Sequence, residues 1–110
     1  MQIHFSQDLK LNDSKKENIS DLVCQRIRLL IGERKASCIE NVFFCDTLLN
    51  DALSLHNSPI SYGHNVCLLK DCGKANLYFS AQMLYTLIRQ TTESPSFDEA
   101  MLAISRKIYF

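Results

Sequence analysis

A chain of 110 residues, 46% apolar and 22% charged, can build one hydrophobic core but not two, so a single domain over residues 1–110 is expected. Only three glycines argue against a glycine-rich phosphate loop, and twelve basic against twelve acidic side chains exclude the basic excess of a dedicated nucleic-acid binder. No apolar run approaches the roughly 18 residues of a membrane span, so no membrane partner is expected.

The chain opens with alternation. Ile3 and Phe5 are apolar while Gln2, His4 and Ser6 are polar, which predicts a half-buried strand over 1–6. Ser14-Lys15-Lys16-Glu17 has the form of a capping box. Behind it Ile19, Leu22, Val23, Ile27, Leu30 and Ile31 share one helical face, and Gly32 suits the stop, giving a helix over 15–32. Ser37-Cys38-Ile39-Glu40 is a second such box, and the apolar run after it predicts a central helix ending near His56, before Asn57-Ser58-Pro59. Ile60 to His64 reads as a loop.

Asn65–Lys70 and Ala75–Phe79 flank Asp71-Cys72-Gly73-Lys74, a hairpin signal in which Gly73 takes positive φ. Leu77 and Phe79 are expected in the core, opposite Val66 and Leu68. Ser80 caps a helix over 81–91, with Leu84, Leu87, Ile88 and Thr91 inward. Ser96-Phe97-Asp98-Glu99 is a third capping box and opens a helix to about 107, with Phe97, Ala100, Met101, Ile104 and Ile108 inward. The order β-α-α-β-β-α-α predicts an α+β fold: a small antiparallel sheet, made of the N-terminal strand and the central hairpin, packed against about four helices. An all-α bundle with one hairpin is the alternative.

Five cysteines at irregular spacing, without a secretory leader, point to reduced thiols in the cytoplasm. His64-x2-Cys67-x4-Cys72, with His56, is the sharpest metal pattern, but only its first pair has zinc-like spacing. Cys67 as a small buried hydrophobe and Cys72 as a turn residue is the preferred reading, so no metal and no cofactor are expected. Cys38, in the first turn of the expected second helix beside Arg34 and Lys35, is the best candidate for a reactive thiol. No motif sets a histidine beside it, and nothing orients any pair among His4, His56 and His64 for acid–base work. Arg26 and Arg28 lie about 200° apart on a helix and form no basic stripe.

Charge is unevenly spread. Residues 36–69 contain Glu40, Asp46 and Asp51 and no Lys or Arg, between weakly basic ends. A solvated face is the plain reading; the functional one is a docking surface for a basic partner, with Glu40, Asp46, Asp51 and the loop residue Tyr62 as contacts. The terminal Ile108-Tyr109-Phe110 is expected to tuck into the fold.

Smallness, one domain, free cysteines and an acidic middle leave a non-enzymatic protein-binding role. In these features the chain resembles the small immunity proteins with which bacteria neutralise toxins, including those of contact-dependent growth inhibition. The likeness is one of class and assigns no residue roles. It implies a cognate toxin domain, often a basic nuclease, blocked by direct binding. A small adaptor or secretion chaperone, and a small thiol- or histidine-dependent enzyme, are the alternatives.

Overall fold

The computed structural model describes residues 1–46, 60–62, 65–89 and 97–108. Its elements are β1 (Gln2–Phe5), α1 (Asp13–Ile31), the short α2 (Glu33–Ala36), β2 (Ile39–Cys45), β3 (Ile60–Tyr62), β4 (Val66–Asp71), β5 (Lys74–Ser80), α3 (Ala81–Arg89) and α4 (Phe97–Ser105). The fold is α+β, with the N-terminal strand and the central hairpin as expected. The strands form one five-stranded sheet in the order β1-β2-β5-β4-β3. The hairpin half is antiparallel, whereas β1–β2 and β2–β5 pair parallel, so the sheet is mixed.

The parallel half depends on the segment that follows α2. The segment after Ser37 is not helical: Ile39–Cys45 is a strand, between β1 and β5. Its apolar run fits a helix by spacing alone, yet Ile39, Val42, Phe43 and Phe44 are β-branched or aromatic and suit a pleated surface better. A register shift between Ile39 and Asn41 lets Ile39 and Val42, three positions apart, both point into the core. Ser37 opens no helix; it is the C-cap of α2, its N–H bonding to the Glu33 carbonyl at 2.9 Å and its hydroxyl donating to the Arg34 carbonyl at 2.6 Å. The rest of the expected second helix, through His56, lies outside the described residues. Ile60–Tyr62, expected as loop, is the edge strand β3.

The other elements follow their local signals closely. α1 begins at Asp13 rather than 15, because Asn12 is its cap: Oδ1 accepts the Lys15 N–H at 2.8 Å, which leaves Ser14 inside the helix. Gly32 ends α1 at φ 89° and its N–H closes onto the Arg28 carbonyl at 2.9 Å. The hairpin turn is Cys72-Gly73, with φ of 49° and 81°, the double positive φ of a tight two-residue connection. Ser80 caps α3, its Oγ accepting the Met83 N–H at 3.3 Å. Ile88, expected inward, is 41% exposed. Thr91, Ser96, Tyr109 and Phe110 lie outside the described residues.

One face of the sheet, the near face, carries Val42, Phe44, Val66, Leu68, Leu77 and Phe79, all buried beneath α1, α3 and α4. Val23 and Ile27 from α1, Leu84 from α3 and Met101 and Ile104 from α4 complete this core. Phe5, Phe44, Phe79 and Phe97 stack in sequence through it, with centroids 5.7, 5.2 and 5.2 Å apart. Each buried ring contributes about 2–3 kcal/mol by its removal from water. Arg26 of α1 grips Asp98 of α4 through two hydrogen bonds, Nε to Oδ1 at 2.9 Å and Nη2 to Oδ2. Lys35 Nζ donates to the Ser105 carbonyl at 2.7 Å at the C-terminal end of α4.

Candidate functional site

Residues of opposite parity on the same strands form the far face, against which no described helix packs. One row crosses all five strands there: His4, Phe43, Tyr78, Cys67 and Ser61 stand directly opposite one another in turn. His4 and Phe43 stack with centroids 4.7 Å apart and planes inclined by 17°, and Phe43 and Tyr78 at 4.8 Å and 13°. All three are half-buried.

That spacing fixes how the rings are presented. Two rings side by side in one plane need about 6 Å between centroids to keep carbon contacts above about 3.5 Å. These rings are closer, so they overlap face over face in an offset stack. The faces between them are used on one another, which leaves the outer face of His4 at the end of the stack, and their edges point away from the sheet. A nucleobase would need an open ring face on which to lie. Between His4 and Tyr78 the row leaves no gap into which a base could stack.

Beside the rings runs a chain of amides. Asn41 stands opposite both Gln2 and Asn76. His4 Nε2 donates to Asn41 Oδ1 at 2.8 Å, and Asn41 Nδ2 donates to Asn76 Oδ1 at 3.1 Å. These bonds tie β1, β2 and β5 together at side-chain level and hold the imidazole plane against Phe43.

The far face closes towards β4. Cys67 is fully buried and Leu69 nearly so, with Tyr78 packed against them. Burial pushes the Cys67 thiol up from its ordinary pKa. The Tyr78 phenol is also raised, first by burial and then by the neighbouring Cys45 and Cys67 thiols. Tyr78 is thus a neutral hydroxyl donor at ordinary pH, and Cys67 a neutral thiol.

The sequence candidates distribute unequally around this surface. Glu40, at the start of β2, and Asp46, just past its end, are both exposed and bracket the strand that carries Phe43. Asp51 lies outside the described residues. Tyr62 is on β3, half-buried and packed against the near-face core rather than displayed on a loop. Cys38 is not in a helical first turn: it follows the C-terminal end of α2, where its Sγ donates to the Arg34 carbonyl at 3.6 Å. Cys67 and Cys72 are separated by the extended length of β4, about 16 Å, too far to share one metal. His56 and His64 lie outside the described residues. Arg26 is engaged by Asp98, and Arg28 Nε approaches Glu33 Oε2 at 3.8 Å.

Sequence reasoning missed His4, Asn41, Phe43, Asn76 and Tyr78 as a group. A signal for the rings was present: His4-Phe5, Phe43-Phe44 and Tyr78-Phe79 are adjacent aromatic pairs, and adjacent residues in a strand face opposite ways. No family model, curated protein or solved structure matches this chain. Among the described residues no helix is long and apolar enough to cross a membrane, and no cluster of three or more potential ligands could hold a metal.

Proposed function

We propose that this protein is a non-enzymatic protein-binding domain, and that it acts as an immunity-type inhibitor that neutralises a basic toxin domain by direct contact. The observation that carries the reading is the stacked His4–Phe43–Tyr78 row on the far face, with the exposed carboxylates of Glu40 and Asp46 at the two ends of its middle strand. Aromatic edges and amides held in place by their own stacking and hydrogen bonds lose little entropy on docking, which favours them as contact centres. Carboxylates at the rim steer a cationic partner and set its orientation. The same acidic rim repels phosphate, which separates this reading from nucleic-acid binding.

The test is affinity capture of the tagged protein from its own cells, followed by binding measurements with the captured polypeptide. A stoichiometric complex with a basic domain is expected. The double reversal Glu40→Lys with Asp46→Lys should weaken it about tenfold or more and reduce its salt dependence. Phe43→Ser should weaken it without changing that salt dependence. A complex indifferent to all three substitutions, or no complex, would overturn the proposal.

A further inference from the structure

β1 is an edge of the sheet, and no described residue pairs with its outer side. The Ser6 N–H bonds to the Phe44 carbonyl at 2.9 Å, which sets the phase of the parallel ladder. In such a ladder alternate residues turn both backbone groups to the same neighbour. His4 and Ser6 therefore face β2, and the N–H and C=O of Ile3 and Phe5 point off the edge. Natural edges are usually guarded by lysine, proline or a bulge. Residues 2–5 contain no charged residue and no proline, and β1 pairs with β2 without a register shift.

We infer that β1 pairs antiparallel with β1 of a second copy of this chain, so that two sheets join into one. The outward groups are self-complementary about His4. Ile3 of one protomer lies opposite Phe5 of the other, and each such pair exchanges both of its hydrogen bonds. His4 then faces its own counterpart in the closer, non-hydrogen-bonded position, and the far-face stack continues across the junction through the outer ring face of His4. A second copy fits better than a foreign strand for two reasons. The chain carries a net charge of +0, so copies do not repel one another. A basic partner, by contrast, is drawn to Glu40 on β2 and Asp46 just past its end, whereas β1 offers it no charge. The edge geometry and the charge balance stand independently of the toxin-binding proposal, on which only the second reason rests.

The experiment is sedimentation of the whole chain over about 1 µM to about 1 mM, combined with amide exchange. A concentration-dependent dimer is expected, in which the Ile3 and Phe5 amides slow as the concentration rises and the His4 amide does not change. Ile3→Pro removes an outward donor while leaving the inward donors of His4 and Ser6, and should weaken the dimer about tenfold or more. A monomer throughout would overturn the inference, as would a dimer in which Ile3 and Phe5 exchange freely. If Ile3→Pro fails to fold, the wild-type exchange pattern decides alone. Protection of those amides only on adding a captured partner would assign the edge to that partner's strand, and the second copy would be rejected.

Discussion

Phe43 stands directly opposite Tyr78 in the β2–β5 ladder, and their rings stack 4.8 Å apart with planes inclined by 13°. The next residues, Phe44 and Phe79, do the same on the other face, with centroids 5.2 Å apart. The centre of the sheet is thus clamped by paired rings on both sides. Stacked pairs add about 0.5–1.5 kcal/mol beyond the area they bury. A double-mutant cycle of Phe43→Ala and Tyr78→Ala, followed by urea unfolding, should give a coupling of about 1 kcal/mol. Strict additivity would mean that the stack contributes only burial.

The hairpin turn offers a cleaner test of backbone geometry. Gly73 sits at φ 81°, and a Cβ built there meets nothing within 4 Å. Any cost of Gly73→Ala therefore comes from the backbone and not from a clash. It should destabilise by about 1 kcal/mol, while Gly73→Asn, which tolerates the left-handed region, should cost less than half of that. Thermal unfolding of the two variants, side by side, checks the order.

The Arg26–Asp98 pair links α1 to α4 with good geometry, but both side chains are over a third exposed, at 38% and 34%. The carboxylate raises the Arg26 pKa above its ordinary value, first through the hydrogen bond and then through its charge. Solvent screening limits what this contributes. Asp98→Asn should cost only about 0.5–1 kcal/mol, and the cost should shrink in high salt. A loss of several kcal/mol would mean that the pair acts through packing of the helices instead.

Alkaline pH should be destabilising for a reason local to the far face. Cys67 and Tyr78 both hold their protons more tightly when folded, chiefly because burial penalises the anion. The unfolded chain releases these protons first as pH rises. The stability they contribute is complete below the ordinary thiol range and is lost from about pH 8.5 upward, past about pH 10 for the phenol. Urea unfolding between pH 7 and 10.5 should show that decline. Cys67→Ala should flatten its earlier part and Tyr78→Phe its later part; an unchanged slope in both would place the cause elsewhere.

Much of the architecture was legible because its signals are local. Alternation at Ile3 and Phe5, the stop at Gly32, the hairpin about Gly73 and the cap at Ser80 each depend on residues within a few positions of one another. The inward set of α4, Phe97, Ala100, Met101 and Ile104, follows from helical period alone. The signal at Ile39–Cys45 is ambiguous because a short run apolar on both sides satisfies a buried helix and a buried strand equally.

By itself, then, the sequence determined the α+β class, the hairpin and its register, and which residues of most helices face inward, since periodicity and turn chemistry act over short distances. Tertiary structure alone decided that Ile39–Cys45 is a strand, because parallel pairing on both sides supplies backbone hydrogen bonds from β1 and β5, which are far away in the chain. The same pairing decided the candidate site. His4, Phe43 and Tyr78 become neighbours only when three strands align in register, and their stacking is a property of that alignment rather than of any one segment.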